Sequence, residues 1–275
     1  MPITFENDWG RHHLRGRVRF AHSEVADLAQ KARQWVEEDR RPLTTVAFND
    51  HGQVVRELRY NLHGEISQIG STKFDDHGNK KELLYRNPRG GLMFSLVSQY
   101  DEAGKLLESV STRVNGLIIK QRCLPLYDPA GKKIEETWFD EDGSLSRRFV
   151  YRYRVTGQLA HEVSYEYDDD GSIDEKWSAL YDENGNVIES SCFDAHGQII
   201  AGPIRFRYND EGDQIEAATF NLRGDLYSTT TFLYDFDEQR NWIKRLEIFK
   251  TSESGFETRV ITYRTLEYYS SSTLI

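Results

Sequence analysis

The sequence is organised by a short repeat in which an aromatic residue is followed by Asp or Asn, two variable residues and Gly. The Asp or Asn side chain can accept a hydrogen bond from the backbone two residues further on, and Gly supplies the positive φ that a tight loop needs. Each copy therefore predicts a turn. Full copies begin at Phe48, Tyr60, Phe74, Tyr100, Tyr127, Phe139, Tyr167, Tyr181, Phe193, Tyr208 and Phe220.

The spacing of these copies predicts what lies between the turns. Incomplete copies at Tyr85, Thr112 (with Asn115-Gly116), Tyr153 and Tyr234 fill the gaps. About eight to ten residues remain between turns, which is the length of one strand, and such short turns join antiparallel neighbours. The predicted fold class is all-β, an antiparallel β-meander of about fifteen strand-turn repeats. Because strand twist accumulates in an open sheet, we expect a curled or spiral sheet.

Side chains along the predicted strands alternate between two faces. Glu175, Trp177 and Ala179 share one face of their strand, and Val163 and Tyr165 share one face of the strand before it. This period of two is typical of a sheet with one drier face. We expect the aromatic face to point inward.

The N-terminal segment is predicted to cap the sheet. Residues 15–20 have the pattern of a strand, and Ser23 to Val36 has the pattern of a helix with Ser23 as its N-cap. A helix here would protect a sheet edge from pairing with other chains. The predicted organisation is one continuous domain with a capping segment (1–45), a repeat array (46–245), and closing strands with a polar tail (246–275).

Composition and charge exclude several classes of protein. The formal net charge is -10, whereas nucleic-acid binding needs a basic surface. Two cysteines, Cys123 and Cys192, are too few for a disulfide framework. Neither a secretory signal nor an apolar run long enough for a membrane span is present. These features predict a cytoplasmic protein, with specialised secretion left open.

Three copies, Tyr127-Asp128-Pro129-Ala130-Gly131, Tyr181-Asp182-Glu183-Asn184-Gly185 and Tyr100-Asp101-Glu102-Ala103-Gly104, resemble the YD repeats of bacterial RHS proteins, toxin-complex subunits and animal teneurins. In large members of that family the repeats form a strip that spirals into a hollow shell. The resemblance implies a bacterial interaction module, acting as an adaptor, chaperone or immunity-type protein beside a toxin or secretion system. The family's self-cleaving block is absent, since the only Asp-Pro is Asp128-Pro129 in mid-array.

No catalytic, metal-binding or cofactor-binding residues are predicted. The stretch 168–174 suggests a calcium loop, but Trp177 stands where that loop needs a bidentate Glu. His51, His63, His77 and His196 each precede a turn Gly, which is typical of solvated turn residues. Neither a phosphate-binding loop nor a nucleophile motif occurs.

Two groups of residues are candidates for a binding surface. The first is a concentration of arginines, for which cross-strand pairing with Glu135, Glu136, Glu162 and Glu166 is the favoured explanation. The second is a set of aromatic rings, which are either packed in the core or exposed as platforms for a sugar or peptide. The arginines are Arg147, Arg148, Arg152, Arg205 and Arg207, and the rings are Trp138, Trp177, Tyr151 and Tyr165.

The sequence therefore predicts a non-enzymatic protein-interaction module whose partner is another protein. Carbohydrate binding through the aromatic face is the alternative, and an uncharacterised hydrolase is the third hypothesis.

Overall fold

A computed structural model describes Asp8, His12 and residues 14–114 and 118–270 of the chain. The described residues form nineteen β-strands, all antiparallel to their neighbours. The strands are β1 Val18–Lys31, β2 Gln34–Glu37, β3 Arg41–Phe48, β4 Val54–Tyr60, β5 Ile66–Phe74, β6 Lys80–Arg86, β7 Leu92–Tyr100, β8 Leu106–Val114, β9 Ile118–Tyr127, β10 Lys133–Asp140, β11 Leu145–Tyr153, β12 Leu159–Tyr167, β13 Ile173–Tyr181, β14 Val187–Asp194, β15 Ile199–Tyr208, β16 Gln214–Phe220, β17 Leu226–Phe236, β18 Trp242–Thr251 and β19 Glu257–Tyr268.

The repeats form the turns between these strands. In one copy the Asp75 N–H donates to the Asn79 carbonyl (2.9 Å) and the Gly78 N–H donates to the Asp75 carbonyl (3.0 Å). The Asp75 carboxylate also accepts from the His77 N–H (3.0 Å), and Gly78 has a φ of 81°. The same pattern recurs along the array, so the local chemistry of the repeat accounts for the turns. The predicted copy with Asn115-Gly116 lies outside the described residues.

The last turn of the array begins later than predicted. The sequence predicted an extended turn from Tyr234-Asp235 to Asn241-Trp242, whereas β17 continues to Phe236 and the turn runs from Asp237 to Arg240. Arg240 occupies the position of the usual Gly and has a φ of 63°.

The sheet closes on itself, and the prediction of an open, curled meander is wrong. β1 pairs with β19 along one edge and with β2 and β3 along the other. Each remaining strand pairs with its neighbours in sequence. Because β2 and β3 share one position beside β1, the nineteen strands fill eighteen positions in the ring. Closure removes the unpaired edges that an open sheet would expose.

The predicted N-terminal helix is also wrong, and the described residues from Leu14 onward contain no helix. The stretch from Ser23 to Val36 forms most of β1 and β2, which are joined by a tight turn at Ala32 and Arg33 with φ of 50° and 68°. As a strand, this segment bonds to neighbours on both edges, and those pairings outweigh a weak helical preference. Trp35 on β2 packs under the guanidinium of Arg259, 4.7 Å from the ring centroid.

The inner and outer faces of the barrel wall are assigned from the register of the paired strands. Residues paired across neighbouring strands point to the same face, so the pairings can be followed around the ring. The face bearing Phe48, Tyr85 and Trp138 is the inner one. Its side chains, together with Asp8, line cavities that span β4 to β10 on the concave side.

The barrel is hollow. A compact protein of 32.0 kDa would expose about 12,000 Å², whereas this chain exposes 17396 Å². The excess indicates that solvent reaches both faces of the wall.

A small apolar cluster lies where the ring closes. Val18 at the start of β1 and Tyr268 at the end of β19 are paired at one end of the barrel, which we call the proximal rim. The opposite end is the distal rim. The cluster comprises Leu14, Val18, Ala21, Val46 and Phe48, with Val54, Leu266 and Tyr268 packed against it.

Candidate functional site

Four of the nine predicted binding residues converge on the inner face. Trp138 on β10 is paired with Arg147 on β11. Tyr151 lies further along β11, and Trp177 on β13 belongs to the same face through Ser164 and Phe149. We call Trp138, Arg147, Tyr151 and Trp177, with the carboxylates around them, the inner-wall patch.

The other five predicted residues lie on the outer face. Arg148 pairs with Glu135 at 2.6 Å. Arg205 pairs with Glu189 at 3.0 Å and Arg207 with Glu216 at 3.7 Å. Arg152 is placed opposite His161, and Tyr165 opposite Arg148. Cross-strand ion pairs thus occupy three of these arginines, and the predicted residues do not form one surface.

Trp177 is the most accessible ring of the patch. Its indole is 41% exposed although it stands on the concave face. The Trp177 Nε1–H donates to Glu175 Oε2 (3.0 Å), and the Cys192 thiol donates to Glu175 Oε1 (2.8 Å). Hydrogen bonds from Cys192 and Trp177 lower the pKa of Glu175, so this carboxylate stays ionised and fixes the indole edge.

An ion pair separates the two tryptophans. Arg147 Nε lies 3.3 Å from Glu166 Oε2. Burial raises the pKa of Glu166 despite the opposing charge of Arg147. Glu166 is paired with Glu175 on the next strand, so negative charge accumulates beside Trp177.

Tyr151 is held by Glu136. The Tyr151 hydroxyl donates to Glu136 Oε2 (2.9 Å), and the Lys133 ammonium donates to Glu136 Oε1 (2.5 Å). Burial raises the pKa of Tyr151, and the charge of Glu136 adds to this effect. The phenol therefore remains a hydrogen-bond donor near neutral pH.

A cavity of about 370 Å³ extends along the inner wall from the proximal rim to Trp138. Asp8 is buried at its rim end, where its carboxylate accepts from the Val54 N–H (2.8 Å). Ser98 and Ser109 are buried in its wall and share a hydrogen bond of 2.8 Å. The lining comprises Asp8, Gln53, Phe74, Gly78, Asn79, Lys80, Leu96, Ser98, Tyr100, Leu106, Ser109, Cys123, Glu136 and Trp138.

Hydroxyl side chains are frequent on the inner face as a whole. They are contributed by strands all around the ring, so the interior is polar between its aromatic rings. The inner-face hydroxyl residues include Ser23, Thr44, Thr72, Ser98, Ser109, Ser111, Ser164, Ser190, Thr219, Ser228, Thr230 and Thr262.

Sequence reasoning missed the residues that complete the site. Glu175 was visible on the same face as Trp177, at a spacing of two, but no motif marked this carboxylate as part of a site. Ser98, Ser109 and Lys80 carry no motif, and register alone brings them together. Asp8 lies outside the array, so the repeat gives no information about it.

The described residues show no group suited to a metal ion, that is, no cluster of three or more His, Cys, Asp or Glu side chains. Burial raises the pKa of both Cys123 and Cys192 to about 12, so these thiols are protonated and unreactive at neutral pH. None of the described residues forms a helix long and apolar enough to cross a membrane.

Comparison with known proteins gives distant likenesses of fold. No protein-family model and no curated protein match the chain. A porin-like protein from Bacteroides uniformis is similar over 91% of this chain and 98% of its own, at 13% identity and a TM-score of 0.46. A domain from Vibrio parahaemolyticus described as outer membrane lipoprotein-sorting is similar over 95% and 91%, at 11% identity and a TM-score of 0.26. A Photorhabdus luminescens Tc holotoxin structure is similar over 86% of this chain and 18% of its own, at 11% identity and a TM-score of 0.19.

Two predictions are corrected at this point. Membership of the YD-repeat family is wrong, because no family model matches and the strands close into a barrel where the resemblance implied an open, spiralling strip. The cytoplasmic location is wrong as well. It was inferred from the lack of a secretory signal and of a long apolar run, but such a run marks a helical membrane span, whereas this chain forms a closed β-barrel.

Proposed function

We propose that this chain is a non-enzymatic binding protein that takes a neutral oligosaccharide into its hollow interior. The observation that carries the proposal is the exposed indole of Trp177 on the inner wall. Its edge is fixed by Glu175 and its ring is open to the lumen. Such a ring is a platform for the apolar face of a sugar, as aromatic side chains combine a flat contact area with a polar edge.

The lining of the interior favours a polyhydroxylated ligand over an apolar one. Sites for lipids and other apolar molecules are lined mainly by hydrophobic side chains. Here serine and threonine hydroxyls alternate with carboxylates and rings around the inner face. Hydroxyls donate and accept hydrogen bonds, and carboxylates accept them, which complements the hydroxyl groups of a sugar.

The charge of the patch favours a neutral sugar over an anionic one. Glu136, Glu162, Glu166 and Glu175 all lie on the inner face of β10 to β13. Arg147 and Lys133 offset only part of this charge. An acidic wall repels an anionic ligand.

The outer wall is suited to water and not to lipid. A membrane barrel presents an apolar outer band about 25 Å tall. Arg148 and Glu135 instead form an ion pair in the middle of β11 and β10, and Arg122 and Glu108 form another on β9 and β8. We therefore propose a barrel that binds its ligand while surrounded by water.

A protein partner is the second candidate. Exposed apolar side chains at the distal rim favour it, because apolar surface is often buried when two proteins bind. The role beside a toxin rested on the family resemblance and is not retained. Affinity purification with mass spectrometry should recover one stoichiometric protein if this candidate is correct. The exposed apolar side chains at the distal rim are Ile199, Ile200, Leu222 and Phe256.

The test of the leading proposal is a glycan array followed by titration calorimetry with the best neutral oligosaccharide. Trp177→Ala should weaken binding at least tenfold, which corresponds to about 1.4 kcal/mol. Tyr227→Ala is the matched control, because Tyr227 is an exposed ring on the outer face, and it should leave the affinity unchanged. An array without hits, or equal affinities of Trp177→Ala and the unmodified protein, would sink the proposal.

A further inference from the structure

The seam between β1 and β19 opens before it reaches the distal rim. The pairing of these strands ends at Leu28 with Arg259, and Gln30 and Glu257, which would continue this register, are not paired with each other. Beyond Leu28, β1 continues only with β2, as a hairpin. The two strands of the seam therefore diverge and leave a wedge in the barrel wall.

Backbone hydrogen-bonding groups on both sides of the wedge point into it. β1 and β2 are joined by a two-residue turn, and in such a hairpin the closing pair exchanges both hydrogen bonds. The N–H and C=O of Gln30, one residue further from the turn, therefore point away from β2 and toward β19. On the other side, the Phe256 carbonyl accepts from the Thr251 N–H of β18 (3.0 Å), so the backbone groups of the next residue, Glu257, point toward β1.

A groove with aromatic walls lies beside the wedge on the outer face. Its volume is about 600 Å³, within the range of roughly 300–1,000 Å³ for sites that hold small ligands. Gln30 and its partner in register, Trp35, point outward, since an odd number of residues separates Gln30 from the inward-facing Ser23. Trp35 and Phe256 both line the groove, and Phe256 is 57% exposed. The groove thus places apolar rings next to the backbone groups that face the wedge.

The charged side chains that line the groove are already paired. Glu257 accepts from Arg259 (2.6 Å) and from Lys250 (2.9 Å), and the Arg259 guanidinium also covers the ring of Trp35. A ligand therefore gains little from a charge of its own. The groove favours an uncharged, apolar side chain.

We infer that the wedge and the groove together form a docking site for an extended peptide segment of a partner protein, one that carries an apolar side chain. A strand has backbone donors and acceptors at the spacing that Gln30 and Glu257 present, so it can continue the interrupted ladder. Alternate side chains of that strand point outward, where one of them contacts Trp35 and Phe256. The site lies outside the barrel, so it is independent of the ligand proposed for the interior.

A display library of random linear peptides, selected on the unmodified protein, supplies the probe. Trp35→Ala removes an aromatic wall and should weaken the best binder about tenfold. Methylating single backbone nitrogens of the peptide should weaken it about tenfold at the few positions that bond to the wedge, and should leave the positions beyond the wedge unchanged. A library that yields no binder, or binders indifferent to both changes, would overturn the inference.

Two substitutions of one residue separate backbone pairing from side-chain contact. Gln30→Pro removes the N–H that faces the wedge, and an edge position tolerates proline because no bond of the ladder is lost. It should weaken the peptide about tenfold, whereas Gln30→Ala, the matched control, keeps the backbone and should bind within about twofold of the unmodified protein. Equal affinities of the two variants would refute strand addition. If Gln30→Pro unfolds in a urea titration at a lower midpoint than Gln30→Ala, the methylated peptides decide the question on the unmodified protein.

Discussion

Asn241 is fully buried where the chain's first and last strands meet. It follows the residue with positive φ in its turn. In other copies of the repeat, the side chain at this position makes contacts within its own turn or with a neighbouring turn. Here its amide instead accepts from the Arg15 N–H (2.6 Å) and donates to the Arg15 carbonyl (2.9 Å) and the Tyr268 hydroxyl (2.8 Å). One side chain thus joins the N-terminal segment, β19 and the last turn of the array.

Replacing Asn241 by Ala should lower the free energy of unfolding by about 2–4 kcal/mol, because buried polar groups would lose their partners. Asn186→Ala is the matched control. Asn186 occupies the same turn position, but its amide donates to Asp182 of its own turn (3.0 Å), and its loss should cost about 1 kcal/mol or less. Urea unfolding of both variants measures the difference. Equal losses would mean that Asn241 is an ordinary turn residue.

At the scale of elements, the turns were predictable and the N-terminal strand was not. Asp or Asn followed by Gly determines a turn through bonds within five residues, as at Asp75 to Asn79. The segment from Ser23 to Val36 owes its strand form to partners far away in the sequence, since Val25 pairs with Thr262. A local pattern contains no information about such partners, so a helical periodicity there was misleading.

A ladder of tyrosines joins the strands at the proximal rim. Each ring stands at the end of one strand, and its hydroxyl donates to the carbonyl that begins the strand before it. The bonds are Tyr100 to Lys80 (3.0 Å), Tyr127 to Leu106 (3.0 Å), Tyr153 to Lys133 (2.7 Å), Tyr208 to Val187 (2.8 Å) and Tyr234 to Gln214 (2.6 Å).

The tyrosines should make the barrel sensitive to alkali. Burial raises the pKa of Tyr234 from 10.0 to about 12, and burial likewise raises those of Tyr85, Tyr181 and Tyr268 to about 12. A tyrosine whose pKa is raised in the folded state stabilises the fold fully at pH values below 10.0, its pKa in the unfolded chain. This stabilisation is lost as the pH rises through the folded-state pKa. We expect the urea midpoint to be steady just below pH 10 and to fall between pH 10 and about 12, together with the appearance of tyrosinate absorbance.

One substitution tests whether the ladder itself takes part. Tyr127→Phe removes a hydroxyl and its bond to Leu106 while keeping the ring. It should lower stability at neutral pH by about 0.5–1.5 kcal/mol and make the alkaline fall less steep. Ionisation of all tyrosines near pH 10 without loss of stability would contradict this account.

At the scale of the whole molecule, ring closure decides what the candidate site is. The sequence pattern assigned residues to two faces, but the expectation that the aromatic face points inward did not distinguish Trp177 from Tyr165. Trp138, Arg147, Tyr151 and Trp177 were therefore grouped with residues such as Tyr165 that the closed ring places outside. Curvature is a property of all eighteen positions together, so no single repeat predicts it. The patch and the cavity exist only because β1 joins β19.

Closure can be tested by a disulfide across the seam. His22 on β1 is paired with Thr265 on β19 on the outer face, so His22→Cys with Thr265→Cys should form a disulfide on mild oxidation. Cys123 and Cys192 should not compete, because both are buried and burial raises the pKa of each to about 12. The bridge closes nearly the whole chain, and the oxidised form should be stabilised by up to roughly 5 kcal/mol relative to the reduced one.

The control for this test is His22→Cys with Ser178→Cys. Ser178 lies on the outer face of β13, seven positions away around the ring from β1, so this pair should stay reduced under the same conditions. Thiol counting and mass spectrometry give the readout. An open, curled sheet would leave residues 22 and 265 apart at its two ends, and the seam pair would then remain reduced as well. Oxidation of the seam pair alone requires the closed ring, and with it a concave face on which Trp138 and Trp177 share one interior.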